Sequence, residues 1–164
     1  MKKLKRIGWL LLGGMCLLLC LAGCGGEGAK VEVPGEQQTW GNLSVFVPEG
    51  MTLVGGAIGD SEDKDCLQIV NPDDLFAYFI ISIMEPDQAE MNIAITKELN
   101  DGKDIPEWKT GELTWHGVFH EYDGIPCYQI MTTSGETTFT VMSAGYEAES
   151  DISNAILSAV KRAE

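Results

Sequence analysis

His116 and His120 are the only histidines in the chain and lie four residues apart in a segment with strand-like character. On a regular strand that spacing turns both imidazoles to one face, together with Val118 and Tyr122. Two imidazoles and a carboxylate begin a Zn²⁺ or Cu²⁺ site, but such a site needs roughly three or four converging ligands, and Glu121 points to the opposite face. Asp60, Glu62, Asp63 and Asp65 crowd one loop. A Ca²⁺ ion needs about six to eight oxygens held in a fixed loop geometry. The EF-hand spacing fails here, because Asp65 stands where the Gly belongs and Asn71 where the final Glu belongs. The expectation is two solvated strand histidines, a solvated acidic loop, no structural metal and no cofactor. Ser134-Gly135 fits a hairpin turn rather than a nucleophile, and no Gly-x-Ser-x-Gly elbow is present. Gly55-Gly56-Ala57-Ile58-Gly59 lacks the Lys and the helix of a phosphate loop. Trp40, Trp108 and Trp115 offer either a ligand platform or core and edge packing, and the aromatic content of 8% favours packing. No nucleophile–base set can be assembled, so the chain is not expected to be an enzyme.

Cysteine chemistry points elsewhere. Lys2, Lys3, Lys5 and Arg6 precede an apolar stretch over residues 7–21, broken by Gly13-Gly14. Leu21-Ala22-Gly23-Cys24 follows, then Gly25-Gly26. This is the order of an export signal with a small-residue cleavage site. The last four residues resemble a bacterial lipobox, in which small side chains admit a peptidase and the Cys carries a diacylglyceryl group. The resemblance implies a signal peptide over 1–23 and lipidation at Cys24. Each buried CH₂ of the lipid contributes about 0.8 kcal/mol, so two acyl chains hold a protein on a membrane. Cys16 and Cys20 follow Met15 and Leu19, which are not small. An uncleaved signal-anchor helix is one competing reading, since the twenty residues 7–26 carry no charge, and a plain cleaved secretory signal is the other. Export places the domain on the extracytoplasmic side. There a disulfide between Cys66 and Cys127 is permitted, with two buried free thiols as the alternative.

The chain has 164 residues and a formal net charge of −14. From Cys24 onward there are 7 basic and 25 acidic residues, a net of −18. A domain of this size buries enough surface to fold without a metal or disulfide staple. Such acidity excludes nucleic acid as a partner, because phosphate binding is driven by Lys and Arg.

Residues 24–39 are rich in Gly, Glu and Gln and read as the lipidated Cys and a flexible tether. A single domain is expected over 40–164. Residues 43–47 alternate and stop at Pro48-Glu49-Gly50, a strand and a turn. Further strands are expected at 51–54 and 66–70, separated by the acidic loop. Residues 75–84 are apolar almost throughout, which predicts a central strand covered on both faces. Asp87 and Glu90 have capping-box spacing, and Met91, Ala94, Ile95 and Leu99 follow at helical spacing until Asn100-Asp101-Gly102. Pro106 and Trp108 are read as loop. Strands at 112–122, 127–132 and 137–143 are linked by turns at Asp123-Gly124 and Ser134-Gly135. Ser150 caps a final helix with an apolar stripe of Ile152, Ala155, Ile156, Ala159 and Val160, and Lys161 and Arg162 at its C-terminus. Hairpins imply a mainly antiparallel sheet, and two amphipathic helices must pack on it, an α+β layered domain.

The run Gly41-Asn42-Leu43-Ser44-Val45-Phe46-Val47-Pro48-Glu49-Gly50-Met51 resembles the opening strand of PsbP-like domains. The ending Ile156-Leu157-Ser158-Ala159-Val160-Lys161 resembles the last helix of that superfamily. The resemblance spans 40–162 and implies an antiparallel sheet flanked by two helices and a non-catalytic accessory role. No position here matches the binding residues of its photosynthetic members. A curved LolA-like sheet that holds an acyl chain is a second likeness. The resulting expectation is a lipid-anchored extracytoplasmic lipoprotein at the cell membrane, binding an envelope protein partner. A carrier of a lipid or other hydrophobic ligand is the alternative, and a small hydrolase the third reading.

Overall fold

The structure is a computed structural model and describes residues 32–164. The expected signal peptide, the expected lipidation site Cys24 and the first part of the expected tether lie outside the described residues.

Ten strands and two helices follow in the order β1 (Gly35–Trp40), β2 (Leu43–Pro48), β3 (Thr52–Gly55), β4 (Cys66–Asn71), β5 (Asp74–Ile83), α1 (Pro86–Leu99), β6 (Lys103–Thr110), β7 (Leu113–Tyr122), β8 (Ile125–Ser134), β9 (Thr137–Ala144), α2 (Asp151–Ser158) and β10 (Lys161–Arg162). They form a three-stranded sheet, β1-β2-β10, and a seven-stranded sheet, β3-β4-β5-β9-β8-β7-β6. Every strand pair is antiparallel. The expected α+β class, an antiparallel sheet flanked by two helices, is the architecture found.

The core lies on one face of the large sheet. Leu67, Ile69, Phe79, Ile81, Tyr128, Ile130, Phe139 and Val141 project from its strands against Leu43, Val45 and Val47 of β2 and against Ile156 and Leu157 of α2. Aromatic rings lock the centre: Tyr128 meets Trp108 edge-on at 5.4 Å, and Phe79 stacks on Tyr146 at 4.8 Å. As expected, Ser150 caps α2, its hydroxyl accepting from the Ser153 amide at 3.3 Å. Asp123 and Gly124 both take positive φ in the two-residue turn between β7 and β8, the requirement of a type I′ hairpin.

Several expectations need correction. Residues 35–39 are not tether: they belong to β1, which pairs with β2 along its whole length. An exposed edge strand is held by backbone bonds and carries no apolar alternation to reveal it. Pro106 and Trp108 are not loop but part of β6, an edge strand with an irregular register between Ile105 and Trp108. Pro is tolerated there because the ladder does not need its missing N–H. Helix α1 starts at Pro86 with Glu85 as N-cap and no side-chain cap bond, so Asp87 and Glu90 make no capping box. Lys161 and Arg162 pair with Ser44 and Leu43 as β10 instead of finishing the helix.

The two largest corrections concern what is covered. β5 buries one face only: Ala77, Phe79 and Ile81 are buried, while Tyr78, Ile80 and Ser82 are half-buried and Leu75 and Phe76 exposed. The expected α1 stripe is turned outward too. Met91, Ile95 and Leu99 are exposed, and Ala89 is the helix's buried residue.

Candidate functional site

The residues singled out for chemistry do not converge. Cys66 opens β4 opposite Ser82, which lies opposite Thr140 of β9; Cys127 lies opposite Ala144 of the same strand. Four residues along β9 and three strand spacings across therefore separate the two cysteines, about 20 Å in all at ~3.4 Å per residue and ~4.8 Å per strand. Their Cα atoms would have to approach within about 7 Å, so the permitted disulfide does not form and both thiols are free. Burial pushes the Cys66 thiol up, opposed by the Ser82 hydroxyl that donates to its sulfur at 3.3 Å. Burial also raises Cys127. Neither thiol has the depressed pKa of a nucleophile.

His116 stands opposite Met131 and His120 opposite Cys127, both on the outer face of the sheet. Among the described residues no three His, Cys, Asp or Glu side chains gather to hold a metal. The acidic loop spends its oxygens on itself. Asp60 accepts from the Glu62 amide at 3.1 Å, Asp63 from the Asp65 amide at 2.8 Å, and Asp65 from the Asn42 side chain at 2.8 Å. The tryptophans are packing residues. Trp115 and Trp108 are buried and donate to Thr110 and Asn154, each at 2.9 Å. Trp40 donates to the Asp63 carbonyl at 2.9 Å beneath the Lys64 ammonium. A cleft of about 420 Å³ beside α1 is lined partly by Asp65, Glu85, Glu136 and Arg162. That charged lining suits no acyl chain.

What does stand out is the outer face of the seven-stranded sheet. Cross-strand partners share a face, so Val54, Gln68, Ile80, Met142, Gln129, Val118 and Asp104 form one continuous row from β3 to β6. Helix α1 lies over the β7–β8 end of that row, where the Thr96 hydroxyl bonds the Gln129 amide oxygen. Its Lys97 reaches β6, pairing with Asp104 at 2.6 Å. Ile95 is two residues from Lys97, about 200° around the helix, so it occupies the opposite flank, with Leu99 one turn on and Met91 one turn back. Asn92 beside them donates to the sulfur of Met84, just after β5. That flank therefore looks along the β9-β5-β4-β3 half of the sheet.

Helix α1 also touches β9, but among the described residues no helix covers β5, β4 and β3. Met142 is 40% exposed, Val54 43% and Phe76 67%. Strand alternation puts Phe76 with Tyr78 and Ile80, and Tyr122 with Val118 and His120, on this same face. Of the nine large apolar side chains exposed among the described residues, seven thus belong to the outer face or the adjoining flank of α1; Ile58 and Leu75 are the others. The patch is rimmed by Asp73 and Asp74 at the β4–β5 turn and by Asp87 and Glu98 on α1, and strands β3, β4, β5 and β9 contain no Lys or Arg. The chain enters the domain at the same end as the β4–β5 turn: the Pro34 carbonyl accepts from Glu49 at 2.8 Å, and Thr52, just beyond, pairs with Val70.

Sequence reasoning missed this face because it assigned every apolar residue to the core. One signal was present: in α1, Ala89 and Thr96 offer a small, weakly polar face beside the Met91-Ile95-Leu99 stripe, so the helix has two faces competing to pack.

No protein-family model and no curated protein match the sequence. Solved structures do match. A crystal structure of a protein from Bacteroides thetaiotaomicron aligns with a TM-score of 0.50 and 15% identity over 79% of this chain, which spans 49% of that protein. The solution structure of cyanobacterial PsbP (CyanoP) from Synechocystis aligns with a TM-score of 0.50 and 11% identity, covering 85% of this chain and 99% of that one. Identities this low speak for the fold alone, and the architecture of the domain is that of the PsbP-like α+β fold.

Proposed function

We propose that the protein is a lipoprotein, anchored by diacylglyceryl-Cys24 on the extracytoplasmic side of the cell membrane, whose domain works as a non-catalytic binding module for an envelope protein. The carrying observation is the concentration of exposed apolar side chains on the outer sheet face and the α1 flank. Contiguous apolar surface rimmed by charge is the usual mark of a protein interface. Scattered histidines, raised thiols and self-satisfied carboxylates favour binding over catalysis.

The anchor is tested by mass spectrometry of the mature N-terminus: diacylglyceryl-Cys24 is expected, and an unmodified N-terminus elsewhere rejects it. The binding role is tested with a photo-crosslinking residue at Met142 in the full chain in its native cells, compared with one at Gln38 on the three-stranded sheet. A discrete protein adduct at Met142 alone is expected. A lipid adduct there establishes the carrier instead, and no adduct, or the same adducts at both positions, rejects the role of this face.

A further inference from the structure

We infer that the outer face receives an amphipathic helix of the partner, apolar along one side and flanked by Lys or Arg. The inference rests on the binding role proposed above and names the chemistry of what binds. Three features of the face carry it.

The first is a missing layer. Seven strands at about 4.8 Å spacing make a sheet roughly 29 Å wide, and a helix with its side chains is about 10–12 Å across. Helix α1 alone covers less than half of that width, over β7, β8 and the adjoining β9. The uncovered strands β5, β4 and β3 span about 10 Å, the footprint of one more helix. Its length is set by α1, whose 14 residues run about 21 Å. The second feature is the wall. Ile95 and Leu99 stand along one side of the vacant strip and Met142, Ile80, Gln68 and Val54 form its mostly apolar floor, so apolar side chains at i, i+3, i+4 and i+7 of a docked helix would meet apolar partners on two sides. The third is charge. Asp73, Asp74, Asp87 and Glu98 rim the strip, and its strands carry no basic residue. Lys97, the basic residue of α1, is on the far flank and already paired with Asp104. An occupant with basic flanks is attracted, and one with acidic flanks is repelled.

Among the described residues the buried core falls between Leu43 and Val160, so the chain from Glu32 onward contains that core and folds on its own. The test titrates that domain with two fluorescent 14-residue helical peptides, one of Leu and Lys, the other of Leu and Glu in the same pattern. The Leu/Lys peptide should bind at least about tenfold more tightly, gain helicity on binding and weaken as salt rises. Ile95→Ser combined with Met142→Ser should weaken it by about tenfold or more in a domain that circular dichroism shows still fully folded at the assay temperature, because both side chains are partly exposed; Gln38→Ser should have no effect. Equal binding of both peptides, or Leu/Lys binding untouched by the double variant, overturns the inference. So does co-sedimentation of the unlipidated domain with phosphatidylcholine vesicles that the peptide does not displace. Failure of the peptide alongside a specific protein crosslink at Met142 defeats the helix assignment and leaves the binding role standing; loss of both defeats the two together.

Discussion

Ile95→Ala and Ile156→Ala make the same chemical change on the two helices and should differ severalfold in what they cost. Ile156 is fully buried in α2 against the core. Truncation removes about three methylene equivalents, a transfer loss of ~2.4 kcal/mol. A partly relaxed cavity adds about 1–2 kcal/mol, giving a total near 3–4 kcal/mol, within the usual range for such core truncations. That is a large share of the ~5–15 kcal/mol that holds a domain folded. Ile95 is 46% exposed. About half the transfer loss applies there, no closed cavity forms, and Ala recovers a few tenths of a kcal/mol of helix propensity. The net loss should stay below about 1 kcal/mol. Urea unfolding of both variants, with unchanged m-values, measures the difference directly. Equal losses would refute the assignment of α2 as the core helix and α1 as the half-exposed one, and with it the open face.

Burial holds the Tyr128 phenol, hydrogen-bonded to Ser153 at 3.1 Å, up at about 12. The folded state therefore keeps its proton where the unfolded chain, near pH 10, loses it, so this contribution is complete below pH ~10 and is lost as pH rises towards ~12. Tyr128→Phe should cost about 1–2 kcal/mol at pH 7 and flatten the alkaline fall in melting temperature; an unchanged alkaline slope would contradict this. Gly41 has φ of +54°, and a Cβ there would clash with the Lys64 carbonyl oxygen. Gly41→Ala should destabilise by more than about 1 kcal/mol and loosen the acidic loop, read as faster amide exchange at Asn42, which donates to the same carbonyl at 2.8 Å. Reductant should leave the melting temperature of the domain unchanged, since Cys66 and Cys127 are too far apart to bridge; a drop on reduction would contradict the β4-to-β8 register.

Local signals in the chain were enough to establish the α+β class, the β7–β8 and β8–β9 hairpins, the Ser150 cap and the position of α2. Each rests on neighbours in sequence: Asp123-Gly124 takes the φ values of its turn, Ser150 reaches the Ser153 amide, and β2 alternates. What lies far apart in sequence was decided by packing. Period-two and period-3.6 patterns say which side chains share a face but not whether another layer covers that face. Met91, Ile95 and Leu99 therefore looked like core, and so did the outer side of β5. Likewise β1 and β6 exist because neighbouring strands offer them a ladder, which a polar strand and a Pro-containing one do not announce. The cysteines show the same limit. Their spacing permitted a bridge, and only the order β4-β5-β9-β8 separated them. The candidate site is tertiary in the same sense: an apolar face becomes a site only where the fold leaves it uncovered.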